Sequence, residues 1–335
     1  KDFVKWDRQK IVDALIRETG VEEVVADIVS REVENMLKSA GVKNITTPLV
    51  RELTNAKLVE YGLTDIRNKH ARLGFPIFDV GQIIRAHNKE NANVPHGPEA
   101  TNLTLAEGIK KEYALMNIFS HDIGTAHMKG DIHVHDLGFI DRPYCSGNNM
   151  AYIAKYGLSL PNSLSIARPA KHPLVLLEHL IKFSAALQGC FAGAIGWDAV
   201  NVFLSPYLQG MNEKDMKQLA QVLIYEFAQQ AVARGGQSIF SDLNIYWETP
   251  KHFKDVKAIG PGGKFTGNTY ADYLPESQRF AKALVDVYRE GDANGRPFFF
   301  PKSEVHMTER FFKTEGHEEF LEQISRVAAE KGNTY

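Results

Sequence analysis

Over Gly130–Leu137 the sequence sets Asp131, His133, His135 and Asp136 together, and shortly afterwards it places Cys145 ahead of Ser146, Gly147, Asn148 and Asn149. Imidazole, carboxylate and thiol are the groups that move protons, ligate metals and attack electrophiles. His133 and His135 alternate with Ile132 and Val134, so on an extended segment both imidazoles face one side with Asp131, and Asp136 faces the other. We therefore expect a buried strand over 131–137 that delivers polar groups into a pocket. His-x-His at a strand end can hold zinc, with a carboxylate completing or orienting the site. His121 and His127 on the preceding stretch are the further candidates, and no second His/Asp cluster stands out downstream. A metal-dependent hydrolase is thus one reading; histidines satisfied by hydrogen bonds in a polar strand layer, with no metal, are the favoured one, and a pocket-lining role lies between.

A free cysteine is by default a small buried hydrophobe, but the small polar neighbours of Cys145 leave room for a ligand. Cys190 lies in the small-residue run Ala185–Gly193, suited to close helix packing, and reads as structural. Two cysteines make no disulfide framework and point to a reducing, cytoplasmic setting. The chain of 335 residues is 44% hydrophobic and 24% charged, the composition of a globular protein with room for two domains. A formal net charge of −2 nominates neither nucleic acid nor a membrane surface. No apolar run is long enough to span a bilayer, and Lys1–Trp6 carries no signal-peptide core.

The elements that must position these groups follow from periodicity. Residues 1–72 read as a small helical module: Ile11, Ala14 and Leu15 form one stripe with Asp7 as cap. Val24, Val25, Ile28, Val29 and Val33 form a second, and Thr47-Pro48 opens a third helix closed by Gly62. The Asn-rich stretch within 73–100 reads as a linker. From 101 to 335, helices are expected at 104–128, 173–192, 198–208, 212–233, 276–290 and 316–330, and strands at 131–137, 239–247 and 298–301. Strands separated by long helices indicate an α/β fold with a largely parallel sheet or barrel. Arg234–Ser238 is a glycine turn into a strand. Gly260–Thr266 fails the phosphate-loop pattern, because Phe265 occupies the Ser/Thr position, and reads as an exposed loop. Gly332–Tyr335 falls where a helix ends and a strand would begin.

Taken together, four stretches resemble the anaerobic (class III) ribonucleotide reductases, glycyl-radical enzymes that make deoxyribonucleotides. They are Gly130–Leu137 with Cys145 downstream; Glu90-Asn91-Ala92-Asn93 with Pro98-Glu99-Ala100-Thr101; Arg234-Gly235-Gly236-Gln237 through Asn244; and Gly291-Asp292 with Gly295, Pro297-Phe298 and Phe300-Pro301. Residues 1–72 resemble an ATP-cone that lacks its first hairpin strand, with Trp6-Asp7-Arg8-Gln9-Lys10-Ile11 as its second part and Phe3-Val4-Lys5 as its second strand.

The resemblance implies an α/β barrel of ten strands, of which 101–335 is the N-terminal half, preceded by the cone-like module and a linker. It implies reduction of ribonucleoside triphosphates for DNA replication, with Cys145 as donor of a proton or hydrogen atom. His133, His135, Asp136, Ser146, Asn148 and Asn244 are the residues it implies for substrate binding. Lys10 is implied for ATP or dATP in the cone, and Lys182 and Gln188 for dNTP effectors at a homodimer interface. The glycyl radical, the cysteine that becomes a thiyl radical and a zinc-binding cysteine cluster are expected in a part of the enzyme beyond Tyr335. A radical-SAM activating enzyme and formate or a thioredoxin-type protein are the implied partners. The competing readings are a pyruvate formate-lyase-type glycyl-radical enzyme, the His-x-His hydrolase and a non-catalytic nucleotide-binding regulator.

Overall fold

The computed structural model describes residues 5–42, 45–85, 97–160, 165–230 and 237–335. Glu90–Asn93, Phe3-Val4 and Arg234–Gly236 therefore lie outside the described residues. The chain forms two compact units, Lys1–Pro76 with Gly108–Leu137 and Ile77–Glu107 with Gly138–Tyr335.

The first unit is helical. It begins with α1 (Gln9–Thr19), α2 (Glu23–Ser39), α3 (Thr47–Glu60) and α4 (Thr64–His70). Ile11, Val12 and Leu15 of α1 share one core with Ala26, Val29, Val33 and Leu37 of α2 and Leu58 of α3, at the helical spacing visible in the sequence. Arg8, not Asp7, occupies the α1 cap position; Asp7 Oδ1 still accepts the Gln9 amide at 3.0 Å. Thr46 caps α3 by accepting the Leu49 amide, with Pro48 in the first turn.

The stretch expected as a linker contains a helix, α5 (Ile77–Arg85). Ile77, Val80 and Ile84 fall at helical spacing, and Pro76 sits just before the first turn rather than breaking it. The single helix expected over 104–128 is divided into α6 (Pro98–Tyr113), a π-helical turn at Ala114–Ile118 and α7 (His121–Lys129). Phe119 and Ser120 between them are extended.

No strand forms over 131–137. Gly130 ends α7 in the left-handed conformation, and the Asp131 amide donates back to Ala126 O at 2.9 Å. That amide is used by the helix end instead of a ladder. Asp136 then takes a positive φ of 53°, outside the extended region a strand needs. His133 and His135 lie exposed on this turn.

The second unit carries β1 (Ser146–Asn148), α8 (Ala151–Tyr156), α9 (Pro173–Gln188), β2 (Ile195–Trp197), α10 (Val200–Leu204), α11 (Glu213–Gln229) and β3 (Ser241–Tyr246). A hairpin β4 (Lys257–Gly260) and β5 (Lys264–Thr269) follows, then α12 (Leu274–Glu290), β6 (Lys302–His306) and α13 (His317–Lys331). The loop expected at Gly260–Thr266 is the turn and second strand of that hairpin. The strand expected at 298–301 forms instead just after Pro301, because Pro297 and Pro301 cannot donate to a ladder. Phe298 packs edge-on against Tyr225, and the Tyr288 hydroxyl donates to Pro301 O at 2.8 Å.

β1, β2, β3 and β6 form one parallel sheet in that order. Long helical connections between parallel neighbours are what this pairing requires. Ile195, Trp197, Leu243, Ile245 and Val305 on one face share a core with Leu180 and Ile181 of α9, Leu223 and Phe227 of α11, and Phe280 and Leu284 of α12. Beyond α13, Thr334 bridges Ser303 in parallel, and the Val305 amide donates to Tyr335 O at 2.8 Å. No helix among the described residues is long and apolar enough to cross a membrane.

Candidate active site

Strand alternation puts a second, polar face opposite that core. Gly147, Gly196, Asp242 and Lys302 lie in one register line across the four strands. Further along, Asn244 pairs with Glu304 and Tyr246 with His306. Cys145 immediately precedes β1 and is exposed.

The cysteine is fixed by backbone. The Ala192 amide donates to Pro143 O at 2.9 Å, the Gly193 amide to Tyr144 O, and the Ser146 amide to Ala194 O at 3.0 Å. The Ala194 amide donates to Cys145 Sγ at 3.3 Å. Only glycine fits at 193: a Cβ there would lie 2.6 Å from Cys145 Sγ. At Gly196 a Cβ would lie 2.8 Å from Asp242 Oδ2, whereas at Gly147 it would meet nothing within 4 Å. The two glycines thus make a floor on β1 and β2 that itself carries no side chain, beside the thiol and with the Asp242 carboxyl over its Gly196 end.

On β3 and β6 the polar groups are linked. Asn244 Nδ2 donates to Asp242 Oδ2 at 3.1 Å, and the His306 ring meets Asn244 Oδ1 through Nε2. The His306 ring is stacked on Tyr246 at 4.2 Å between centroids. Burial first, and the nearby Glu304 second, push the Asp242 carboxyl above the usual carboxylate range; the Asn244 hydrogen bond and Lys302 oppose them. Burial and then Asp198 push the Tyr246 phenol up. The face thus offers a thiol, a carboxyl that keeps its proton to higher pH, and an amide, around the glycine floor.

Of the residues singled out in the sequence, Cys145 and Asn244 lie on or beside this face. Ser146 and Asn148 alternate to the opposite face, in register with Ile195 and Trp197. There Ser146 Oγ donates to Asn148 Oδ1 at 3.2 Å, and Asn148 Nδ2 donates to Gly196 O at 3.3 Å, so they tie β1 to β2. Gln188 is fully buried. Its amide donates to Gly193 O at 3.0 Å and accepts from the Phe240 amide at 2.8 Å, so it braces the sheet and is not offered to an effector. Lys182 is exposed on α9 and paired with Glu178 at 3.2 Å. Cys190 is exposed rather than packed, just beyond α9.

His133, His135 and Asp136 belong to the first unit. His133 Nε2 and His135 Nδ1 are 3.3 Å apart, and His135 Nε2 is 3.6 Å from Asp136 Oδ1. Among the described residues no group of three or more His, Cys, Asp or Glu side chains is arranged to hold a metal ion. Lys10 lines a cavity of about 410 Å³ with Lys5, Arg51 and His70. Arg51 is bound by Glu18 and also donates to His70 O at 2.7 Å. Its hydrogen bond holds the Glu18 carboxyl below the usual range. Burial, and Arg51 after it, lower the His70 pKa.

Asp242, Tyr246, Glu304 and His306 escaped the sequence reading. The signal was present as alternation: Asp242, Asn244 and Tyr246 in one strand, Lys302, Glu304 and His306 in the other.

No curated protein matches the chain. Among solved structures, the anaerobic ribonucleotide reductase from Thermotoga maritima in complex with dATP and CTP is similar at 17% identity and a TM-score of 0.53, over 88% of this chain and 50% of that one. The same protein with MES in the active site gives 16% identity and 0.58 over 88% and 50%. A structure described as anaerobic ribonucleotide reductase gives 16% and 0.55 over 100% and 49%. These likenesses are of fold, and the chain spans about half the length of those proteins. The family model described as anaerobic ribonucleoside-triphosphate reductase matches residues 90–335. That span is most of the sequence and holds the whole parallel sheet with its thiol, and the chain belongs to the anaerobic ribonucleoside-triphosphate reductase family.

Proposed function

We propose that this chain supplies the first part of the catalytic barrel of an enzyme that reduces ribonucleoside triphosphates to deoxyribonucleoside triphosphates. Family membership supports the reaction class. The observation that brings it to particular atoms is the exposed Cys145 thiol, zipped against Gly193 beside the Gly147–Gly196 floor. Four parallel strands in chain order, with Thr334 pairing outside β6, are in keeping with the early strands of a ten-stranded barrel.

A radical generated elsewhere in the enzyme supplies hydrogen abstraction from the ribose. In this reading Cys145 gives a proton or hydrogen atom to the nucleotide, and Asn244 holds a sugar hydroxyl or formate. The helical first unit binds an ATP or dATP effector in the cavity that Lys5 and Lys10 line, where two ammonium groups suit a triphosphate. Lys182 on α9 stands for a second effector contact at an interface with another copy. The activating enzyme and the reductant act on the whole protein.

The test is Cys145→Ala in the full-length enzyme. The glycyl radical, read by electron paramagnetic resonance, should form at the wild-type level while deoxyribonucleotide formation falls below detection. Unchanged deoxyribonucleotide production would remove Cys145 from the chemistry.

A further inference from the structure

The side-chain amide of Asn244 is held at both ends. Asp242 Oδ2 accepts from its Nδ2, and the His306 ring engages its Oδ1. With Asp242 ionised and the proton on His306 Nε2, a flipped amide would set a carbonyl against a carboxylate oxygen and an NH2 group against a ring N–H. The clamp is itself constrained. His306 is stacked on Tyr246, and Asp242 occupies space that a side chain at position 196 would fill. Asp242 reaches Asn244 from two positions earlier on β3 and His306 from the neighbouring strand β6, so the backbone register sets the geometry. These two bonds leave one N–H and one carbonyl lone pair of Asn244 for a ligand, on the sheet face that also carries Gly147 and Gly196.

We propose that Asp242 and His306 are positioning residues that lock Asn244 in one orientation, and that the locked amide reads the vicinal 2′,3′-diol of a ribonucleotide laid over the glycine floor. The inference rests on the function proposed above and assigns its sugar discrimination to one side chain. A donor and an acceptor fixed together match two adjacent hydroxyls, each of which both donates and accepts. A 2′-deoxy sugar leaves one of those groups unpaired, and sites built to bond a hydroxyl discriminate strongly against its loss.

The test is equilibrium binding of CTP and 2′-deoxy-CTP to the full-length enzyme before radical activation, with dATP saturating to occupy effector sites. His306→Phe keeps a ring to stack on Tyr246 but removes the polar contact. It should weaken CTP binding about tenfold or more and bring the CTP to 2′-deoxy-CTP ratio close to one. His306→Gln, which restores a donor, should recover at least half of that loss on a logarithmic scale. Asp242→Asn should recover more than Asp242→Ala, because a carboxamide oxygen still accepts from Asn244. A His306→Phe protein with the wild-type ratio overturns the inference, as does equal loss in His306→Phe and His306→Gln. Wild-type protein that binds neither nucleotide overturns the proposed function instead.

Discussion

On one face of the parallel sheet Trp197, Leu243 and Ile245 are fully buried beneath helices. On the other face of the same strands Gly196, Asp242 and Asn244 are only partly covered. The two faces are one residue apart in sequence, so the backbone that the first face stabilises is the backbone that aims the second. The difference teaches that stability and chemistry are separable here by parity along a strand. Substitutions at Leu243 and Ile245 should act on folding, and those at Asp242 and Asn244 on ligand and pH behaviour.

The largest expected break comes from the covered face. Trp197→Ala removes a fully buried indole whose Nε1 donates to Ser184 Oγ at 2.8 Å. It should cost about 3–5 kcal/mol in chemical denaturation. A loss below about 1 kcal/mol would mean that this face is not the principal core.

On the polar face, Gly196→Ala drives a methyl into the Asp242 carboxyl. We expect a loss of about 1–3 kcal/mol, together with weaker nucleotide binding. A neutral result would mean that Asp242 is free to move aside. The same face gives a pH signature. Because the folded pKa of Asp242 is raised, its favourable contribution is complete below the ordinary Asp value and is lost as pH rises through the folded value. Asp242→Asn should therefore gain stability relative to wild type between acid and neutral pH, read as denaturation midpoints across that range. A constant difference would place Asp242 in water.

The smallest effect sharpens the contrast from outside the sheet. His133→Ala and His135→Ala alter an exposed turn, so each should stay within about 0.5 kcal/mol of wild type. A larger loss in thermal unfolding would show a buried role for the pair.

The helices were legible because long amphipathic periods survive local noise. Leu176, Leu177, Leu180 and Ile181 mark α9, and Leu219, Leu223 and Phe227 mark α11. The first two sheet strands were not, because Ser146–Asn148 and Ile195–Trp197 are too short to display alternation. Ile132-His133-Val134-His135 displayed it without being a strand, since Gly130 and Asp136 take backbone conformations that composition alone does not reveal. For the site, Cys145 was read from its residue type and small polar neighbours, and Asn244 entered only through the family resemblance. Asp242 and His306 required the pairing of β3 with β6, a long-range fact.

Gln188 has a mechanical consequence. It sits at the last turn of α9, and one amide ties that tip both to Gly193, which abuts the Cys145 sulfur, and to the entry of β3. The helix is therefore a rod pinned at the thiol end. Pulling or twisting it must either snap two buried hydrogen bonds or drag the cysteine loop along.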